Sequence, residues 1–346
     1  MSRLAVGAPQ LLRDGYGRVA RDLRVSLTDR CNLRCTYCMP AQGLPWIPTQ
    51  ESLTDAEIVR LISVAVEHLG VRKVRFTGGE PLLRKSLEEL IAAVKALSAD
   101  TGAAPEVTLT TNGIGLARRA TALAQAGLDR INVSLDSLDR ARFAAVTRRD
   151  RLDDVLTGLG AAAAAGLTPV KVNSVVMRGI NEPDVVALAE FCLSNGYELR
   201  FIEQMPLGPR HGWDRSQMVT APEILALLRG RFELVAAVEP RGAAPAELWD
   251  VPPDERQPGG RIGVIASVTA PFCAACDRTR ITSDGQLRTC LFSHSETDLR
   301  SPLRHGAADD ELAQLWRTAT IGKPAGHGID KADFVQPSRT MSAIGG

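Results

Sequence analysis

The sequence predicts an α/β fold: an open, partial (β/α)6 TIM-like barrel of six parallel strands, followed by a C-terminal extension of different character. Three observations carry this expectation. Short apolar segments of strand type alternate with amphipathic helical segments through the first 200 or so residues. Five of the six strands are reached through helical crossovers, which makes them parallel. The alternation stops near Leu207, short of the eight units that a closed barrel needs.

LRVSL near the front is the first strand. In TDAEIVRLISVAVEHLG, Thr54 and Glu57 form a capping-box pattern, and Ile58, Leu61, Ile62, Ala65, Val66 and Leu69 recur at helical spacing until Gly70. VRKVRF is the second strand, LEELIAAVKALSA a helix and EVTLTT the third strand. A helix from Ala117 to Ala126 closed by Gly127 leads to RINVSL, the fourth. The helix from Leu152 to Ala165, PVKVNSVV, the helix from Asp184 to Ser194 and ELRFIEQM complete the series. Beyond it come a short helix (APEILALLRG), a Pro/Gly-rich stretch, and a helix from Asp309 to Thr318, read as a cover over the barrel mouth. The expected division is a leader over 1–14, the barrel over 15–206 and the extension over 207–346.

Composition narrows the function. Hydrophobic residues at 45% suffice for a large core, and no run approaches a transmembrane span. Forty-one Lys plus Arg against 40 Asp plus Glu leave a formal charge of +1, so no global field draws in nucleic acid or an anionic membrane. An anionic ligand has to be met by local arginines. The first residues lack a continuous apolar stretch and read as a polar leader, so the expected location is the cytoplasm.

Seven cysteines, an odd number without an export signal, argue against a disulfide framework and for metal or redox chemistry. Cys31, Cys35 and Cys38 form one triplet, Cys273, Cys276 and Cys290 another, and Cys192 sits alone on an apolar helix face as a buried thiol. The first triplet reads CNLRCTYC, a C-x3-C-x2-C loop directly after a strand. Three thiolates on one loop can ligate three irons of a [4Fe–4S] cluster and leave the fourth iron open. A structural zinc site closes with four ligands, and no fourth cysteine lies nearby. FTGGEP (Phe76 to Pro81) ends the second strand, where ligands bind in such barrels, and its glycines allow close backbone approach.

The second triplet reads FCAACDRTRITSDGQLRTCLF, a C-x2-C-x13-C pattern. Zinc completed by His294 is one reading of it. Against this, Arg278 and Arg280 place two guanidinium groups beside the metal, suited to a phosphate or carboxylate.

The C-x3-C-x2-C loop with an aromatic, Tyr37, before its last cysteine resembles the radical S-adenosylmethionine superfamily. The chain from about Gly15 onward further resembles the MoaA-type GTP 3′,8-cyclase family of molybdenum cofactor biosynthesis. Gly17-Arg18, LRVSLTDRCNLRCTYCMP, VRKVRFTGGEPLLR, LTTNG, INVSLDSL, KVNSVVMRGIN, RFIEQMP, FCAACDRTRIT with DGQLRTCLF, and MSAIGG carry the likeness. It implies a lyase that turns GTP into a cyclic nucleotide through a 5′-deoxyadenosyl radical. Two [4Fe–4S] clusters would sit on Cys31, Cys35, Cys38 and on Cys273, Cys276, Cys290.

Tyr37, Gly79, Ser134 and Met205 match S-adenosylmethionine positions, with Asn132 beside them. Arg24, Arg75, Thr110, Lys171, Arg278, Thr279 and Arg280 match GTP positions. Arg278, Arg280 and the terminal Gly345 and Gly346 match positions needed for catalysis, the diglycine reaching into the active site. A homodimer, an external electron donor and a cyclic pyranopterin monophosphate synthase downstream are further implications. Asp277 departs from the pattern, which more often has Asn, and 241–260 match nothing in it. A peptide-modifying radical enzyme predicts more cysteines in the second site and no Arg-x-Arg pair. A non-catalytic iron–sulfur or zinc protein leaves FTGGEP and MSAIGG unexplained.

Overall fold

Six strands form where the alternation places them: β1 (Asp22–Ser26), β2 (Lys73–Thr77), β3 (Glu106–Thr111), β4 (Arg130–Ser134), β5 (Lys171–Val176) and β6 (Glu198–Glu203). They lie side by side in chain order, every neighbouring pair parallel. The computed structural model that shows this describes residues 9–209, 213–329, 331 and 333–345.

The crossovers contain α1 (Asp55–Ser63), α2 (Leu87–Lys95), α3 (Ala120–Gln125), α4 (Arg140–Thr147), α5 (Leu152–Ala164) and α6 (Val185–Ser194). At the start of α1, Thr54 Oγ1 accepts from the Glu57 amide while the Glu57 carboxylate accepts from the Thr54 amide. This reciprocal cap satisfies two otherwise orphaned donors. Past Ser63 the helix widens into a π turn, Val64–His68. The helix expected from Ala117 begins as a 3-10 turn, Leu116–Arg118, and becomes α-helical only at Ala120. The sequence reading has no counterpart of α4, whose segment RARFAAVT buries only Phe143, Val146 and Thr147 and carries little periodic signal.

The extension is more than a cover. It contains α7 (Ala221–Arg229), β7 (Val235–Ala236), β8 (Glu247–Val251), β9 (Gly260–Ile265), β10 (Arg278–Ile281), β11 (Gln286–Arg288), β12 (Thr297–Asp298), α8 (Arg300–Arg304), α9 (Asp309–Ile321) and α10 (Met341–Ile344). Strand β9 pairs in parallel with β6, and β10 pairs in parallel with β1. The twelve-stranded order is β12-β11-β10-β1-β2-β3-β4-β5-β6-β9-β8-β7, so the extension continues the barrel sheet on both edges. Eight central strands are parallel and antiparallel pairs finish each side. β10 escapes a search for apolar strands because it reads RTRI, with arginine at every second position.

Strand alternation divides the sheet into two faces. One face, including Leu23, Val25, Val74, Phe76, Val107 and Leu109, is buried in the apolar core with the helices. The other carries Asp22, Arg24 and Ser26 on β1, Arg75 and Thr77 on β2, Thr108 and Thr110 on β3, Asn132 and Ser134 on β4, Lys171 and Asn173 on β5, and Arg200 on β6. An ordinary closed barrel fills this space with branched apolar side chains. Here it is polar from edge to edge, as expected of a lined cavity.

Candidate active site

The first cysteine loop leaves β1 and is pinned from outside by α4. The amides of Arg34 and Thr36 donate to the carbonyls of Thr147 and Val146, each at 2.9 Å. Arg148 then donates to the carbonyls of Arg34 (3.0 Å) and Met39 (3.1 Å) from a left-handed backbone, φ +55°. Cys31, Cys35 and Cys38 are free thiols that line one cavity of about 140 Å³ with Tyr37, Gly79, Thr110, Ser134 and Asp136. Burial pushes the Cys31 thiol up to about 11, Cys38 to about 12 and Cys35 well above its ordinary value. Such thiols ionise only when a bound metal supplies the positive charge.

Gly79 shows why FTGGEP needs glycine. A Cβ there would lie 2.2 Å from the Arg30 carbonyl oxygen, and the Gly79 amide donates to the Thr28 carbonyl at 2.6 Å. The glycine thus admits the backbone that leads into Cys31. Glu80 is fully buried and accepts from Leu82 N, Thr111 Oγ1 and Asn112 N, at 2.7–2.9 Å. Burial raises its carboxyl to about 7 against those three bonds. The Tyr37 hydroxyl donates to Asp136 at 2.8 Å, and burial lifts Asp136 to about 6. Met205 lines a different cavity, the one at the second triplet.

Arginines crowd the polar face. In register, Arg24 stands directly opposite Arg75 on one side and Arg280 on the other. Like charges so placed repel. Burial and the neighbouring guanidinium groups lower Arg24 well below its usual value, and burial lowers Arg75 too. Arg280 is brought to about 10 chiefly by burial, with Arg278 adding to it. The Nε atoms of Arg24, Arg75 and Arg278 are buried without a hydrogen-bond partner. Thr110 Oγ1 lies 3.5 Å from Arg75 Nη1 and 3.3 Å from Asn132 Nδ2, and Lys171 pairs with Glu198.

Arg200, absent from the sequence candidates, stands opposite Asn173 with Nε and Nη2 unpartnered and a pKa lowered by burial to about 9. Asn173 Oδ1 and Thr108 Oγ1 are also buried and unpartnered. Only strand pairing, which sets Arg200 opposite the inward Asn173, marks it out. Thr279 differs: alternation turns its hydroxyl outward to Trp316 Nε1 at 3.0 Å, so its side chain is withdrawn from the cavity.

The second triplet sits in a contrasting, cationic setting. Cys273, Cys276 and Cys290 line one cavity with Met205, Arg278, Arg280 and His327. At Cys276, burial would raise the thiol, but Lys323, Arg278 and Arg280 together bring it below its ordinary value. His294, the proposed zinc ligand, is exposed and lines an outer groove with Cys290. His327 is nearer, but its Nε2 pairs with the Ser267 carbonyl (3.0 Å) and its Nδ1 accepts from the Ile329 amide (3.1 Å). With both ring nitrogens engaged it is not a fourth ligand. Among the described residues no three Cys, His, Asp or Glu side chains converge on a point that one metal ion could occupy.

The tail connects the two cysteine sites. Arg339 ion-pairs with Asp284 and Glu296, each at 2.8 Å, and the Met341 amide donates to the Leu207 carbonyl. The Ser342 backbone bonds the Cys38 thiol, and the Gly345 carbonyl accepts from Arg280 Nη1 at 2.6 Å. Gly345 has φ +84°, and a Cβ on it would lie 2.8 Å from Thr77 Cγ2. Gly346 lies outside the described residues.

Residues 25–192 match the Radical SAM superfamily, and residues 197–329 match Molybdenum Cofactor Synthesis C. Solved structures agree on the fold. Streptococcus suis SuiB bound to S-adenosylmethionine aligns with a TM-score of 0.58 at 15% identity, covering 92% of this chain and 69% of that one. The chain belongs to the radical S-adenosylmethionine superfamily, whose chemistry depends on a [4Fe–4S] cluster.

The GTP 3′,8-cyclase of Corynebacterium glutamicum is 62% identical over 339 residues, 97% of this chain and 90% of that protein. GTP 3′,8-cyclase 2 of Mycobacterium tuberculosis is 61% identical over 335 residues, 97% of this chain and 92% of that protein. Within the superfamily, this chain is a member of the GTP 3′,8-cyclase family, which acts at the first step of molybdenum cofactor biosynthesis.

Proposed function

We propose that the chain converts GTP into (8S)-3′,8-cyclo-7,8-dihydroguanosine 5′-triphosphate, joining ribose C3′ to guanine C8. The observation that carries this is the row Arg24, Arg75 and Arg280 on the polar face of the sheet, three guanidinium groups in direct register, Arg75 and Arg280 buried and Arg24 largely so. Such repulsion persists where a polyanion compensates it, and bidentate guanidinium–phosphate bonds suit a triphosphate. The donor sets fit the cofactors: each triplet offers three free thiols and, among the described residues, no fourth ligand, which suits a [4Fe–4S] cluster with one open iron. When bound, the first cluster with S-adenosylmethionine would supply the radical chemistry for hydrogen abstraction at ribose C3′.

The chain's residues bind, orient and exclude water. Cys31, Cys35 and Cys38 hold the first cluster, and Cys273, Cys276 and Cys290 hold the second. Tyr37, Gly79 and Ser134 shape the S-adenosylmethionine side of the cavity, with Met205 reaching it from the second triplet. Arg24, Arg75, Arg278, Arg280 and Arg200 hold the triphosphate, with Thr110 and Lys171 at the rim. Gly345 brings backbone against Arg280 and closes the site, and turnover also needs Gly346.

The working unit divides near 206/207, is cytoplasmic and acts as a homodimer. It takes electrons from an external donor and passes product to a cyclic pyranopterin monophosphate synthase. No helix among the described residues is long and apolar enough to cross a membrane. Anaerobic incubation of reconstituted protein with GTP, S-adenosylmethionine and reductant, followed by mass analysis, tests the reading. A product isomeric with GTP together with 5′-deoxyadenosine is expected. Release of 5′-deoxyadenosine with GTP unchanged would overturn the substrate assignment.

A further inference from the structure

Just past α9, Lys323 is 4% exposed, yet among the described residues it has no carboxylate partner. Its ammonium group instead converges on the second cysteine segment, reaching the Arg278 carbonyl at 2.8 Å, the Cys276 carbonyl at 3.1 Å and Cys276 Sγ at 3.5 Å. From the other end of the chain Arg18, fixed by Asp14, donates to the Cys273 carbonyl at 2.7 Å and to the carbonyls of Pro324 and Ala325, the two residues after Lys323. The C-x2-C turn is therefore gripped at both cysteines by cations from distant segments.

A buried ammonium without an anion is costly. The group near Lys323 best able to carry negative charge is the sulfur of Cys276. The first triplet is built otherwise, since Cys31 Sγ accepts from the uncharged Leu33 amide (3.4 Å) and Asn112 side chain (3.7 Å). Charge and hydrogen bonds at the sulfurs set iron–sulfur potentials. We propose that Lys323 is a positioning residue for the second cluster: it fixes Cys276 against Arg278 and raises the cluster's reduction potential by placing a positive charge at a ligand sulfur. This rests on the reading that Cys273, Cys276 and Cys290 hold a cluster.

The test is anaerobic reconstitution of the full chain with iron and sulfide as wild type, Lys323→Met, Lys323→Gln and Cys276→Ala. Iron analysis and a reductant titration followed by electron paramagnetic resonance are the readouts, and Cys276→Ala identifies the second cluster's signal. Lys323→Met is expected to keep the first cluster's potential and make reduction of the second about tenfold less favourable, which is ~59 mV for one electron. Lys323→Gln keeps a donor but no charge, is expected to shift the potential in the same direction, and decides the matter if the methionine variant does not fold. Both potentials unchanged in a variant with wild-type iron would overturn the proposal. Wild-type protein with about four irons per chain would instead overturn the cluster assignment beneath it.

Discussion

Arg200→Met should move stability and substrate affinity in opposite directions. Arg200 is 8% exposed, lacks partners for Nε and Nη2, and has its pKa lowered from 12.5 to about 9, mainly by burial. That depression corresponds to about 5 kcal/mol against folding with the charge in place, at 1.36 kcal/mol per pH unit. The penalty is constant below pH 9, because folded and unfolded states are both protonated there, and it fades only as pH rises past 9. Methionine fills a similar volume without a charge, and recovering even half of the penalty, about 2.5 kcal/mol, raises Tm by roughly 3 °C in a chain of this length. Removing a charge-assisted contact to phosphate costs about 1.5–3 kcal/mol of binding, which is a ten- to 150-fold rise in KM for GTP. Thermal unfolding of the cluster-free chain and steady-state kinetics of the reconstituted enzyme give the two numbers. A lower Tm with unchanged KM would show that Arg200 is a structural group and refute the argument.

Gly345→Ala forces a side chain into a left-handed residue 2.8 Å from Thr77. At about 1–2 kcal/mol for the backbone alone, turnover should fall at least five- to thirtyfold while iron content stays at the wild-type value. Cys38→Ala should remove about four irons per chain and abolish 5′-deoxyadenosine formation while leaving the second cluster's spectrum in place. Glu80 holds its proton to about pH 7 when folded against 4.5 for the ordinary group, so stability should decline by about 3 kcal/mol as pH rises through that interval. Urea denaturation of the cluster-free chain at pH 5 and pH 8 measures this, and Glu80→Ala should flatten the profile.

The barrel was legible because its strands are apolar on the helix-facing side and its helices carry ordinary punctuation, such as the Thr54 cap and Gly127. Both cysteine triplets were legible from spacing. The extension's strands were not, since β10 shows arginine at alternate positions and only a paired neighbour reveals it as a strand. Arg200 and Asn173 look unremarkable in sequence, and their importance comes from facing inward beside Ser134 and Lys171. Lys323 and Arg18 act on cysteines 47 and 255 residues away, a relation that no local pattern encodes. The glycines of FTGGEP were legible as a requirement, but the reason lay in backbone 50 residues upstream.

The flanking positions of β9 and β10 have a consequence for synthesis. β1 emerges early, and its outer neighbour β10 lies about 250 residues later. At 5–20 residues per second, that edge waits about 12–50 s without its strand, as does β6 for a shorter time. Unpaired parallel edges are templates for association with other chains. The nascent protein therefore depends on shielding of those edges until its last third arrives, and a chain stopped at 206 should aggregate rather than yield a smaller enzyme.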